Sequence, residues 1–187
     1  MRDAESLALP LSRPRPSRPR GDAALLRAID RGDEAALGEL FNRHWPALHR
    51  AAWLVTHDAQ AAEDIAQEAF LAALQRLDSF DRARPLAPWL HRIVVNRAID
   101  FVRARSARRE VAAPAPADPP AELSPRFGDD TLAALATLGP EQRAVVVLRH
   151  LLGYSPSQIA ALLELPRGTV NSRLRRALDA LARELER

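Results

Sequence analysis

Apolar residues recur at spacings of three and four along most of the chain, and no stretch alternates with period two between turn residues. The pattern therefore predicts helices throughout. Asp22 is placed to cap a first helix carrying Leu25, Leu26 and Ile29, and Asp33 a second with Leu37, Leu40, Phe41, Trp45 and Leu48, running on through Trp53 to Val55. His57-Asp58 reads as a turn. A third helix carries Ile65, Ala69, Phe70, Ala73, Leu74 and Leu77. Pro85 and Pro88 interrupt, and Pro88-Trp89 starts a fourth helix with Leu90, Ile93, Val94, Ile99 and Val102.

A second helical unit begins with Leu132, Leu135 and Leu138 and continues from Val145 to Leu152. Ile159, Ala160 and Leu163 then form one side of a short helix, which Leu165, Pro166 and Gly168 break. Thr169 is a good N-cap for the helix that follows. In that last helix Val170, Leu174, Leu178, Leu181 and Leu185 make one expected buried stripe. Ser172, Arg175, Arg176 and Asp179 fall opposite, with Arg173 on the flank, so the segment reads as a helix-turn-helix that offers arginines to a DNA groove.

Prolines divide the chain. Pro10, Pro14, Pro16 and Pro19 alternate with Arg13, Arg15, Arg18 and Arg20, and this stretch has too little apolar content to build a core. Pro114, Pro116, Pro119, Pro120 and Pro125 mark an extended tether. The expected architecture is all-α: a disordered tail over 1–21, a helical bundle over 22–109, a flexible linker over 110–128 and a helix-turn-helix domain over 129–187.

Composition narrows the function. The formal charge is only +3, but all 27 cationic side chains are Arg and none is Lys. Arg binds phosphate and guanine bidentately, though such a bias also follows from a GC-rich genome. With no Cys there are no disulfides or thiolate metal sites, which fits a reducing cytoplasm. No apolar run is long enough to span a bilayer, so a soluble cytoplasmic protein without membrane insertion is expected. His44 and His49 miss the i, i+4 spacing of paired helix ligands, and no phosphate loop or nucleophile elbow is present. Neither metal, cofactor, small-molecule substrate nor enzymatic activity is expected.

The charges are segregated. Between Arg50 and Arg76 there is no Arg, and Glu63, Asp64, Gln67 and Glu68 make an acidic face on the third helix. Such a face is either solvated or a dock for a basic protein surface. From Asp81 to Glu110 eight Arg oppose three acidic residues, a net +5. Phe80 and Trp89 bracket the proline loop there, and Asn96 and Arg97 follow on the helix. Phosphate neutralisation, stacking and base-edge hydrogen bonds need such residues, although Trp89 also reads as a core anchor.

Four ordered segments carry a family resemblance. Glu63-Asp64-Ile65-Ala66-Gln67-Glu68-Ala69-Phe70, Trp89 to Asp100, Leu138-Gly139-Pro140-Glu141-Gln142-Arg143-Ala144-Val145 and Gly168 to Ala177 resemble signatures of the extracytoplasmic-function (ECF) sigma factors of bacterial RNA polymerase. The resemblance spans about residues 22–185. It implies a region 2-like bundle and a region 4-like helix-turn-helix, without the middle domain of larger sigma factors.

The resemblance also implies roles. Asp64, Gln67, Glu68 and Phe70 would bind core polymerase through its beta-prime subunit, the beta subunit completing the partner. Phe80, Arg82, Arg84, Trp89, Arg92, Asn96, Arg97, Arg103 and Arg105 would contact the −10 element, capturing an unstacked base as the duplex melts. Arg167, Thr169, Asn171, Ser172, Arg173, Arg175 and Arg176 would serve the −35 element, with Ser172, Arg173 and Arg176 placed to enter the groove and Arg175 nearer its edge. An anti-sigma factor is a further implied partner. With the chain ending at Arg187, no added regulatory domain is expected. Departures from the family pattern are Gln158 where an acidic residue is usual, Asn171 for Lys, and Pro85 and Pro88 in the base-capturing loop. A stand-alone helix-turn-helix regulator is the alternative, but it leaves the acidic helix and the 81–110 segment without a role.

Overall fold

A computed structural model describes residues 20–108 and 128–186. All but the last two residues of the expected tail, and all but Gly128 of the expected linker, lie outside the described residues. Eight α-helices account for the described chain: α1 (Asp22–Ile29), α2 (Glu34–Thr56), α3 (Ala59–Gln75), α4 (Leu86–Ala107), α5 (Asp129–Thr137), α6 (Pro140–Val146), α7 (Pro156–Leu163) and α8 (Arg167–Leu185). A 3-10 turn (Leu77–Ser79) follows α3, and a π-helical turn (Val147–Leu151) extends α6.

In the first unit α2 is the spine against which α1, α3 and α4 pack. Leu40, Leu48, Ala51, Ala52 and Val55 bury one side of it, met by Ile65, Ala69 and Phe70 from α3 and by Leu90, Val94, Val95 and Ala98 from α4. The many alanines let the helices approach closely, and truncating a fully buried leucine such as Leu48 would cost about 2–5 kcal/mol. Asp33 caps α2 by accepting from the Ala36 amide, and Asp58 caps α3 by accepting from Ala61. Between them His57 takes the left-handed conformation (φ 51°), the one-residue reversal behind the expected turn.

Several expected boundaries shift by a few residues. Gly21, not Asp22, is the N-cap of α1, and the Asp22 carboxylate pairs instead with Arg43 (2.8 Å) and His44 (3.0 Å) on α2. Pro85 is the N-cap of α4, so the helix begins at Leu86 and Pro88 sits in its first turn, where a missing N–H costs nothing. Likewise Pro166 caps α8 and Thr169 lies inside it. Pro166, preset at φ −57°, directs the chain into the helix but accepts no hydrogen bond from its first-turn amides, so the hydroxyl cap expected from Thr169 is not formed. Ser155 and Gln158 form a reciprocal capping box at the start of α7. Gln158 therefore keeps the acceptor role that an acidic residue at this position would play.

The stripe of α8 also differs. Val170, Leu174 and Ala177 are buried, but Leu178 and Leu185 are 45% and 52% exposed. The helix outruns the short α5–α7 scaffold, so its C-terminal half finds less to pack against.

The two units are packed together despite the proline-rich segment between them. α6 lies against α2 and α4, and α7 against α4. At the centre Arg143 of α6, only 6% exposed, donates to the Val55 carbonyl of α2 (2.5 Å) and to Ala136 (3.0 Å) and Leu138 (2.7 Å) of its own unit. No carboxylate meets it among the described contacts, and burial lowers its pKa to about 10. His57 beside it is held neutral, its pKa brought down to about 4 by burial and then by the Arg143 charge.

Candidate polymerase and promoter interfaces

The acidic face forms as the sequence pattern requires. Along α3, Ala61, Ala62, Ile65, Ala66, Ala69 and Phe70 point inward, while Glu63, Asp64, Gln67 and Glu68 are exposed. Gln60 donates to Asp64 (3.0 Å) and Gln67 to Glu63 (3.2 Å), so two i, i+4 bonds hold the carboxylates in a row. Phe70 does not belong to this face. It is buried, edge-on to Phe41 with ring centroids 5.1 Å apart, because a helix that alternates pairs of inward and outward positions turns residue 70 towards α2. Its neighbour Leu71 is 58% exposed and follows Gln67 and Glu68 on the acidic side. An exposed leucine amid carboxylates was not read from the sequence, because the apolar periodicity absorbs it.

The loop between α3 and α4 makes the second feature. Phe80 is buried and lies against Trp89, ring centroids 4.8 Å apart, with Trp89 half-buried. Trp89 thus serves both as core anchor and as one wall of a cleft of about 520 Å³ that also receives Phe80, Arg84, Pro85, Pro88 and Arg92. Asp81 accepts from the Ala83 amide and pairs with Arg84 (3.3 Å). Arg82 makes a bidentate pair with Asp30 at 2.9 Å, which ties the loop to the end of α1.

The arginines of α4 divide. Arg92, Asn96 and Arg97 are half-buried on the helix, and Arg97 reaches Glu68 of α3 at 2.6 Å. Arg103 meets Glu141 of α6, and Arg92 meets Glu164 at the end of α7, both at 2.5 Å. Arg105 is engaged within the first unit. Its guanidinium is drawn to Asp58 at 3.0 Å with the side chain only 21% exposed, fastening the end of α4 to the α2–α3 turn.

At the other end, α7 and α8 form the expected helix-turn-helix. Glu164 closes α7 in the left-handed conformation (φ 54°). Arg167, Asn171, Arg175 and Arg176 are exposed on α8, whereas Thr169, Ser172 and Arg173 are half-buried. Ser172 donates to the Thr169 carbonyl (2.9 Å), and Arg176 folds back to donate to the Ser172 carbonyl (3.2 Å). The outward arc is therefore centred on Asn171 and Arg175. Ser172 and Arg173 are turned from it because α8 presents Ala177, not Leu178, to the core.

Among the described residues no cluster of His, Asp and Glu could hold a metal ion, and no helix is long and apolar enough to cross a membrane. His91 is buried in α4, its Nδ1 2.7 Å from the Tyr154 hydroxyl, and burial and then His44 lower its pKa to about 4.

Comparison with known proteins bears on the same two units. Residues 40–108 match the family description Sigma-70 region 2, and residues 129–181 match Sigma-70, region 4. The ECF RNA polymerase sigma factor SigM of Mycobacterium tuberculosis H37Rv is 40% identical over 171 residues, covering 89% of this chain and 85% of that protein. SigW of Bacillus subtilis, also an ECF RNA polymerase sigma factor, is 26% identical over 176 residues (86% and 94%). Among solved structures, the sigma factor RpoE of Bartonella quintana, in complex with the anti-sigma factor NepR, superimposes with a TM-score of 0.67 at 27% identity, over 80% of this chain and 96% of that one. CnrH, solved with the cytosolic domain of CnrY, gives 0.65 at 32% identity over 88% and 97%. With both sigma regions in order on an all-helical frame, the chain belongs to the ECF family of RNA polymerase sigma factors.

Proposed function

We propose that this sigma factor divides its labour between the units at 22–109 and 129–187 without catalysing a reaction itself. Core polymerase is gripped by the exposed row Asp64, Gln67 and Glu68 on α3, with Leu71 as its apolar anchor. The −10 strand enters the Phe80–Trp89 cleft, its phosphates met by Arg84, Arg92, Asn96, Arg97 and Arg103. The −35 duplex is read by the outward arc of α8, through Arg167, Asn171, Arg175 and Arg176. Unstacking a base costs only a few kcal/mol, which several arginine–phosphate contacts offset. Work on promoter DNA and polymerase places the protein in the cytoplasm.

The observation that carries this reading is the placement of unlike charge in one unit. A carboxylate row on α3 faces away from the core beside an arginine-lined aromatic cleft at the start of α4. An isolated helix-turn-helix regulator has no use for either. An anti-sigma factor is a further partner, supported by the likeness to RpoE and CnrH, whose structures hold NepR and CnrY. The test is reconstitution. Core polymerase with the purified chain should yield promoter-specific transcripts, and promoter binding by the chain with no initiation on any template would refute the proposal.

A further inference from the structure

Besides the packing of α6 and α7 on α2 and α4, four side-chain hydrogen bonds join the two units among the described residues, and their chemistry is uneven. Arg143 to the Val55 carbonyl and His91 to Tyr154 are largely sheltered. Arg92–Glu164 and Arg103–Glu141 lie at the surface, with the arginine side chains 42% and 55% exposed. In both surface pairs a carboxylate of the second unit sits on an α4 arginine that the proposed function gives to promoter DNA. A carboxylate offers a guanidinium the same pair of oxygen acceptors as a phosphodiester.

The cleft shows the same exchange. One wall is Phe80, Arg84, Trp89 and Arg92, and the other is Tyr154, Gln158, Ala161 and Leu162 of the second unit. The second unit thus lines and narrows the opening that a DNA strand would enter. The remaining functional faces stay open in this arrangement. Asp64 and Gln67 on α3 and Asn171, Arg175 and Arg176 on α8 are exposed.

We infer that the free chain masks its own −10 surface, with Glu164 and Glu141 occupying the places of DNA phosphates on Arg92 and Arg103 and α7 closing the cleft. The inference rests on the DNA roles proposed for those two arginines. The mask leaves the α3 docking face and the α8 reading face accessible, so core polymerase can take hold before the units part. Two exposed ion pairs are weak enough to yield to a polyanion, each shifting the open-to-closed ratio by about two- to fivefold. The apparent affinity for a single strand follows the open fraction, so it is depressed by the same factor.

The absence of cysteine makes the test direct, because two introduced thiols are the only ones to label. Spin labels at Gln75→Cys on α3 and Ala182→Cys on α8, both exposed, report the distance between the units in the full chain. The parent should give one dominant short distance. Glu141→Gln with Glu164→Gln should broaden and lengthen it, and should raise affinity for a fluorescein-labelled single strand from the −10 region that holoenzyme melts, by about four- to twenty-five-fold. Duplex −35 binding should not change. Swapping the charges (Arg103→Glu with Glu141→Arg) should keep the short distance.

A parent whose distances are long and broad, or a double variant with unaltered distance and strand affinity, overturns the inference. Opening without any gain in strand affinity overturns the masking. If Arg92→Ala and Arg103→Ala then also leave melting by holoenzyme intact, the fault lies in the DNA assignment of the two arginines rather than in the packing of the units.

Discussion

Replacing Arg143 with Met keeps an unbranched stem of similar length and removes every donor. The guanidinium makes three hydrogen bonds, all to backbone carbonyls: Val55 in the first unit, Ala136 and Leu138 in the second. A hydrogen bond from a charged group contributes about 1.5–3 kcal/mol, so the three together give about 4.5–9 kcal/mol. Against this stands the cost of burying the charge. The fall in pKa from 12.5 to about 10 has burial as its cause, and corresponds to about 3 kcal/mol. The difference places the loss for Arg143→Met at about 2–6 kcal/mol, and the three carbonyls left without donors favour the upper half. For a chain of this size the melting midpoint should fall by about 2–4 °C per kcal/mol. Urea denaturation followed by far-ultraviolet circular dichroism measures the free energy directly. A loss under 1 kcal/mol would show that water reaches these carbonyls and that Arg143 does not join the units.

Asp64→Arg together with Leu71→Ala should weaken core binding at least tenfold with helicity intact, checked by competition against a labelled sigma factor. Arg105→Ala should lower stability by about 1 kcal/mol, because its partner is Asp58, while leaving the salt dependence of promoter binding unaltered; Arg84→Ala should instead reduce the log–log salt slope by about one. In a selection from randomised −35 DNA, Arg175→Ala should relax the preference at one or two positions, at about 1–3 kcal/mol of discrimination, and Arg173→Ala should return the parental consensus. His57 and His91 are held neutral with folded pKa values of about 4 against the ordinary 6.5. Their contribution is complete above pH 6.5 and is lost as pH falls towards 4, by up to about 1.4 kcal/mol per unit for each. Stability should drop by about 2–4 kcal/mol between pH 7 and pH 5, and His57→Gln with His91→Gln should flatten that dependence.

Much of this was legible in the chain because helices announce themselves by period and by caps. The alternation of paired inward and outward residues along α3 set out its acidic face, and Asp33 marked the start of α2, whereas Asp58 read only as part of a turn. Prolines misled by two or three residues, since a proline serves as cap or as first-turn residue according to what precedes it, and Pro85, Pro88 and Pro166 each admit both. Phe70 shares its motif with the acidic face, and only packing separates an inward phenylalanine from an outward glutamate two positions away. The contacts between the units had no signal in the sequence at all. Arg143, Glu141, Tyr154 and Glu164 find partners 38 to 88 residues distant, and periodicity is silent about such pairings.

The left-handed Glu164 carries an evolutionary consequence. A side chain with a Cβ in that conformation sacrifices about 1 kcal/mol relative to glycine, so Glu164→Gly would tighten the turn of the helix-turn-helix. The same change deletes the carboxylate held by Arg92. Position 164 is thus a place where selection for a sturdier DNA-binding unit and selection for an unrestrained one point to a single substitution. Glycine at this one position would therefore give a sturdier DNA-binding unit and a less restrained chain together, two properties that glutamate trades against each other.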